Sequence, residues 1–413
     1  MQINIERLLA DIEKYSKYGE SPNGGTTRPS FSEADILVRE LFIHELADMG
    51  LSLIIDGAAN IWGRLKGSGK KEGCLVIGSH LDAVPNGGKY DGALGVLTAK
   101  EMIKTLTENN IVLDHDVEIV SFTAEESNDF NLSTFGSRSY VGKLTKALLE
   151  NACDSKGNLI KDELEKVGGS LGKFPDMEKT FKDKKAFIEL HIEQGQRLES
   201  ENISLAIIDK VVGMYRSTLK VIGQSNHSGT TMMEHRKDAL AAAAEIILLI
   251  EHICKNEGND LVGTVGKLIV SPNATNIIPG MVEFTFEIRG ESENQIYEVV
   301  NKIQDNWRQI ALEREVKVEE KVFLNQKPII LDHHIVSALQ NTAAKLDEPY
   351  LKLASMAVHD AAHMASVTKS AMVFVKSKDG KSHCPEEFSS PMDIEKAGNL
   401  MLHALIHLDE KLD

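Results

Sequence analysis

The sequence predicts an α/β protein in which a mixed-sheet domain, residues 1–211 and 327–413, is interrupted by a smaller inserted α+β domain of the ferredoxin-like kind at residues 212–326. Three observations predict it. Between residues 51 and 126, apolar and β-branched runs alternate with a helix-length segment in βαβ order. From about residue 212 the rhythm restarts as strand, helix, strand, strand, helix, strand, the order of a split βαβ domain. After residue 327 only helix, strand and helix follow, too few for a separate core and suited to completing the first sheet.

The N-terminal stretch MQINIERLLADIEKYSKYG reads as an amphipathic helix with acids throughout. Residues 19–32, GESPNGGTTRPSFS, concentrate turn formers and separate it from a second helix that begins near Ser30 or Ser32 and stops at Gly50. Ser30 with Glu33 has the spacing of a capping box. LSLIIDGAANIWGRLKG, CLVIGSH and DVEIVSFTAEE are strand-like runs, and GALGVLTAKEMIKTLTENN supplies the crossover helix between the last two. Polar residues 151–184 hold short surface helices before the strand KAFIELHIEQG. The insert contributes YRSTLKVIGQSNHSG, the alanine-rich helix RKDALAAAAEIILLIEHICK, the strands GTVGKLIVSP and MVEFTFEIRG, a helix over about 291–312, and REVKVEEKVFL. DHHIVSALQNTAAKLD, SAMVFVKS and PMDIEKAGNLMLHALIHLDEKL return to the first domain.

A chain of 413 residues is long enough for two cores. Its 46 Lys plus Arg against 62 Asp plus Glu give a formal charge of -16, which argues against nucleic acid or an anionic membrane surface as partner. Cys74, Cys153, Cys254 and Cys384 show no paired short spacing, so neither a disulfide framework nor a thiolate zinc cluster is expected, and a reducing cytoplasm suits them. No basic segment leads into an apolar stretch at the N-terminus and no run approaches a membrane span, so a cytoplasmic location without membrane attachment is expected.

Against that background the stretch GSHLDAVPNGGKYDGALGV is unusual: His80 and Asp82 end an apolar run, and glycines surround Asp91. Five elements of the main domain end in groups able to bind a hard or borderline metal, namely His80, Asp91, the pair Glu125–Glu126, His191 and His383. Zinc accepts this mixture of imidazole nitrogen and carboxylate oxygen, and the lack of cysteine among them favours catalytic over structural use. The set suits two ions sharing one carboxylate, with Asp91 as the bridge. Taken singly, each residue has a plainer alternative, and Asp91 by its position is also a competent helix N-cap. Of the adjacent carboxylates Glu125 and Glu126, one can ligate while the other serves as general base and then general acid. Asp82 can orient His80 through its second ring nitrogen.

The motifs GSHLDAVPNGGKYDGALGV, TAEE, GSR, ELHIEQGQRLE, HSGTTMMEHRKDA, PNATNIIPG and SHCPEE, in this order from GGTTR onward, resemble those of the hydantoinase/carbamoylase family of amidohydrolases. That family includes N-carbamoyl-L-amino-acid hydrolases, β-ureidopropionases and allantoate amidohydrolases. The resemblance implies a metallohydrolase catalytic domain with a lid/dimerisation insert, two divalent ions per subunit (zinc or manganese, with cobalt or nickel able to substitute in vitro), a homodimer, and a small-molecule substrate carrying a carboxylate. It implies His80 with His191 at one ion, Asp91 bridging, and Glu126 with His383 at the other. Glu125 becomes the general base and Asp82 the carboxylate behind His80. Gln194 becomes the amide or ureido contact, and His227 a donor reaching the dimer partner's site to stabilise an oxyanion. Asn276 and Arg289 become the holders of the substrate α-carboxylate. The implied reaction is hydrolysis of a linear non-protein C–N bond, first in an N-carbamoyl-L-α-amino acid. Allantoate or another ureido acid, an N-acyl amino acid and a small peptide are the alternatives.

The chain departs from the family pattern at SMAVHDA, residues 355–361, where Met356 replaces a glycine and Val358 a small residue. It departs again at ESNDF, where Asn128 and Asp129 stand and an arginine is lost, and at TTMM, residues 230–233, which lacks the common proline. None of these touches the implied ligands, so the departures bear on substrate choice rather than on hydrolysis.

Overall fold

The computed structural model of the protein describes residues 1–258 and 261–413 and divides into two compact units. The first comprises Met1–Asp209, Ile330–Leu353 and Val358–Asp413; the second comprises Lys210–Ile329 with the tetrapeptide Ala354–Ala357. That tetrapeptide overlaps the start of the SMAVHDA stretch, well outside the contiguous insert expected from the element order.

In the first unit, the strands that matter for the site run side by side as Leu205–Val211, Lys369–Val375, Lys184–Ile192, Cys74–His80, Asp116–Phe122, Ile61–Leu65 and Ser52–Ile55. The middle four are parallel and the flanking pairs antiparallel, so the sheet is mixed. Register aligns the carboxyl ends: His80 lies opposite Phe122, and Val375 opposite Ile192. Strand Cys74–His80 is buried on both faces, with Leu75 and Ile77 in one apolar cluster and Cys74 and Val76 in another, as a covered parallel strand requires. Helix Ala93–Glu108 crosses from this strand to Asp116–Phe122. The run LSLIIDGAANIWGRLKG is a hairpin of two antiparallel strands rather than one, because the Asp56 carboxylate accepts the N–H groups of Ala58 and Asn60 and folds the chain back.

The second helix spans Glu33–Asp48, and its cap differs from the expected one: Ser32 accepts the N–H of Asp35, while the Asp35 carboxylate accepts that of Phe31. Ser30 is thereby free to donate to Asp82 at 3.0 Å. Helix Ile5–Ser16 buries Leu8, Ile12 and Tyr15, which share one face at this spacing.

The second unit is a four-stranded antiparallel sheet in the order Leu261–Ser271, Met281–Gly290, Gly213–Ile222, Lys317–Gln326. Its central strand alternates strictly, burying Val282, Phe284, Phe286 and Ile288 in a cluster shared with helices Ala239–Asn256 and Glu293–Glu313. Among the described residues, no helix is long and apolar enough to cross a membrane.

Glu45 ties the N-terminal helix down: it receives Lys14, Lys100 and the Tyr15 hydroxyl, the last at 2.6 Å. Burial alone would raise its pKa, but these donors outweigh it and draw the carboxyl from 4.5 down to about 2. Because the folded value lies below the unfolded one, this stabilisation is complete above pH 4.5 and lost as pH falls toward 2. Glu45→Gln is therefore expected to lower the melting temperature at pH 7, with the gap to the native protein closing below pH 4.5; a gap of constant size across that range would contradict the assignment.

Candidate active site

The four parallel strands deliver their groups to one end of the sheet, where the connecting loops of an open α/β sheet normally bind ligands. His80 ends its own strand, Glu125 and Glu126 follow Asp116–Phe122, His191 is the penultimate residue of Lys184–Ile192, and the loop after Lys369–Val375 carries His383. Asp91 sits between the strand Ala83–Gly87 and the crossover helix. All of these except His383 are buried.

Asp91 has a two-sided environment. Its Oδ1 lies 3.1 Å from His191 Nε2 and 3.7 Å from His80 Nε2; its Oδ2 lies 3.2 Å from His383 Nε2. Glu126 Oε1 is 3.3 Å from the same His383 nitrogen. Two groups of potential ligand atoms result, His80–Asp91–His191 and Asp91–Glu126–His383, each within 4.8 Å and sharing Asp91. His80 Nδ1 meets the carbonyl of Asp82 at 3.1 Å and His191 Nδ1 that of Ile192 at 3.0 Å. These bonds place the ring protons on Nδ1, so both Nε2 lone pairs aim at Asp91. His80 Nε2, His191 Nε2 and Glu126 Oε1 are buried and make no hydrogen bond, which is costly for groups without a further partner. Residue types, sharing and orphaned atoms all fit a pair of divalent cations. The group Cys74–Glu118–Asp183, by contrast, is already neutralised by Arg64 and Lys184.

The electrostatics follow from buried carboxylates crowded together. Burial opposes charge on His80 and His191, but Glu125, Asp82 and Asp91 around the first and Asp91 and Glu189 around the second push both pKa values up. His383, bonded to Asp91 and Glu126, is raised to about 11. Burial alone would raise Asp91, yet the three imidazoles hold it well below the carboxylate range. Burial pushes Glu125 well above its ordinary value, with Glu126, Asp360 and Asp82 adding to the effect and His80 opposing it. The adjacent glutamates thus face different partners: Glu125 turns to His80, 3.7 Å away, and Glu126 to His383.

Two assignments change in detail. Asp82 does not hold His80 mainly through its carboxylate, whose Oδ1 is 3.5 Å from Nδ1; its carbonyl makes the closer contact. The carboxylate instead accepts the N–H groups of Glu125 and Glu126 at 3.2 and 3.1 Å, locking the acidic turn to the His80 loop. Gln194 directs its Nε2 to Asp91 Oδ2 at 2.8 Å, leaving its carbonyl oxygen as the group open to a ligand. The N-cap alternative for Asp91 is not realised: helix Ala93–Glu108 is preceded by Gly92, and no side chain caps it.

Gly92 answers why glycine follows Asp91. Its φ is +63°, and a Cβ there would overlap the His80 imidazole. Non-glycine residues also adopt left-handed backbone at Ala124, Gln194 and His383, φ 54 to 57°, a cluster of strain of the kind found where a site dictates the chain path.

Several participants carry no simple spacing signal. His359 packs against His191 with ring centroids 4.3 Å apart and the planes tilted by 55°. Glu189, fully buried, accepts from Ser79 Oγ at 2.7 Å and the N–H of Ala361 at 2.8 Å. Arg28, also fully buried, donates to the carbonyls of Leu81, Tyr15 and Tyr18 and so braces the His80–Asp82 loop. Asn128, one of the departures, is a hub that bonds Leu132 and Phe130 within its own loop rather than a pocket residue.

In the second unit, His227 and Asn276 are neighbours: His227 pairs with Ile277, and the Asn276 carbonyl accepts the N–H of Ser228. His227 Nδ1 accepts the N–H groups of Gly229 and Thr230, which fixes the neutral Nε2–H tautomer and leaves an exposed donor. Arg289 stands on another strand, its Nε on Glu287 at 2.5 Å and Nη1 on the Met356 carbonyl at 2.7 Å.

Residues 76–407 match the family described as Peptidase family M20/M25/M40. The chain is 33% identical over 409 residues to an N-carbamoyl-L-amino acid amidohydrolase of Geobacillus stearothermophilus, covering 98% of this chain and 99% of that one. It is 33% identical to a ureidoglycolate hydrolase of Arabidopsis thaliana (95% and 84% covered) and 32% identical to an allantoate amidohydrolase of Escherichia coli (94% and 95%). Among solved structures, a hydantoinase/carbamoylase-family amidase from Burkholderia multivorans superposes with a TM-score of 0.89 at 30% identity, covering 98% of each chain.

The Gly92–His80 contact generates a prediction. Gly92→Ala must displace the imidazole or the turn, and a shift of about 1 Å at a reacting centre costs on the order of 10²-fold in rate. Hydrolytic activity is expected to fall by that order while the circular dichroism spectrum is kept; native-like activity would show that the loop relaxes freely.

Proposed function

The chain belongs to peptidase family M20/M25/M40 and is an amidohydrolase, and from that premise we propose that it cleaves the ureido C–N bond of an N-carbamoyl-L-α-amino acid using two divalent ions, zinc or manganese, held at Asp91. The observation that carries this reading is the two-sided environment of Asp91, with one oxygen toward His80 and His191 and the other toward His383, beside Glu126. Divalent ions bound by His80, Asp91, Glu126, His191 and His383 would supply Lewis acidity for the hydrolysis.

Glu125 is the proton carrier in this scheme. Its carboxyl is buried, free of a ligand contact in the second group, and pushed up in pKa, so it can accept a proton from water and hand it to the leaving nitrogen. Asp82 fixes the Glu125 backbone and thereby the reach of that proton. The open carbonyl of Gln194 suits the N–H of a ureido group, and the exposed Nε2–H of His227 suits a developing oxyanion. Arg289 keeps Nη2 for a carboxylate once Glu287 and Met356 have taken its other nitrogens, and Asn276 supports it. We read the second unit as the lid and homodimer contact; its edge strand Leu261–Ser271 leaves Val262, Leu268 and Ile269 about half exposed. Allantoate or another ureido acid is the second reading, because relatives named for those substrates match nearly as well.

Glu125→Gln is expected to lower turnover by roughly 10²-fold or more at unchanged metal content, whereas Glu126→Gln is expected to lose one ion by elemental analysis. Equal metal loss in both would reverse the roles, and full activity after exhaustive chelation would remove the metal mechanism.

The substrate is tested by a panel of N-carbamoyl, N-formyl and N-acetyl L-amino acids, β-ureidopropionate, allantoate, ureidoglycolate and dipeptides. The highest kcat/KM is expected on an N-carbamoyl-L-amino acid, with Arg289→Ala raising KM for carboxylates. Best turnover of allantoate or ureidoglycolate would select the second reading, and equal use of substrates with a neutral amide in place of the carboxylate would remove the role of Arg289.

A further inference from the structure

We propose that Glu387 is the positioning residue that fixes Asp91 between its two sets of partners, and that glycine stands at position 88 to admit it; the proposal rests on the reading of Asp91 as the shared ligand. Glu387 is 4% exposed. Its Oε1 accepts the backbone N–H of Tyr90 at 3.0 Å and of Asp91 at 3.1 Å. Its Oε2 lies 3.1 Å from Ser382 Oγ, and that hydroxyl is 2.9 Å from Asp91 Oδ2. One buried carboxylate therefore holds the Asp91 main chain directly, and the Ser382 hydroxyl, whose single proton serves one carboxylate at a time, stands between it and the Asp91 side chain. Acceptors of two backbone N–H groups are among the stronger orienting contacts available to a turn.

The surroundings are built to that contact. A Cβ on Gly88 would overlap the Glu387 carboxyl and its Cβ, so no other residue type fits without moving Glu387. The next residue, Phe388, meets the ring of Tyr90 edge-on with centroids 6.1 Å apart and closes the turn against the 382–388 loop. The same loop carries His383, so Glu387 couples the path of one ligand to the position of the shared one. Glu387 touches neither substrate nor ion in this account; it acts through Asp91.

The experiment measures the affinity of purified full-length protein for Mn²⁺ and Zn²⁺ by competition with a chromophoric chelator, beside melting curves of the metal-stripped protein. Removal of a residue that orients a ligand typically costs 10- to 100-fold in metal affinity, and a loss of about that size is expected for Glu387→Ala. Glu387→Gln keeps the oxygen that accepts both N–H groups and offers an N–H to Ser382, so it is expected to stay within about threefold of the native affinity. Gly88→Ala is expected to mimic Glu387→Ala in the native background, because the added Cβ displaces the Glu387 carboxyl. Unchanged metal affinity in Glu387→Ala would overturn the proposal. Should Glu387→Ala fail to fold, Ser382→Ala and Gly88→Ala decide: native affinity in both would overturn it. Asp91→Ala separates the two levels, because native-like metal binding in that variant refutes the shared-ligand reading itself, whereas loss there with none in Glu387→Ala refutes only the role of Glu387.

Discussion

One carboxylate, Asp91, must face two ways at once, and much of the first unit is arranged so that it can. Its oxygens are 3.1 and 3.2 Å from imidazole nitrogens on opposite sides, which no flexible surface aspartate would sustain. The backbone that carries it is held by Glu387, and its side chain is further bonded by Gln194 and Ser382. The glycines on either side are explained by close approach rather than by looseness: position 88 lies against Glu387 and position 92 against His80.

The buried carboxylates impose the second requirement. Asp82, Asp91, Glu125, Glu126 and Glu189 are all within the protein, and isolated buried anions are strongly unfavourable. Two solutions coexist. Asp82 and Glu189 are neutralised by directed hydrogen bonds from backbone and hydroxyl donors, and these two hold loops together. Asp91, Glu125 and Glu126 face imidazoles, with Asp91 also accepting from Gln194 and Ser382.

The departures from the family pattern can be placed on the same footing. Asn128 serves its own loop, bonding the main chain of Phe130 and Leu132. Met356 contributes a backbone carbonyl to Arg289, a contact that any residue could make, and its side chain remains partly exposed. Glu287 lies between Arg216 and Arg289 and takes the Nε of each.

The sequence by itself determined the elements and the inventory of the site. Period-two alternation in MVEFTFEIRG, the continuous apolar run of CLVIGSH and the alanine-rich helix are local patterns, and local patterns follow directly from burial on one or two faces. The five ligand-type residues were legible because each ends or follows a recognisable element. The tertiary structure alone decided what each residue touches. Asp82 reaching Glu125 and Glu126, Ser30 reaching Asp82, Glu387 reaching Asp91 and His359 packing on His191 join residues from 43 to 296 positions apart, and no period or cap connects them. The membership of Ala354–Ala357 in the second unit is of the same kind. Such pairings depend on the register of four parallel strands, which brings their carboxyl ends level, and register is a property of the assembled sheet rather than of any one segment.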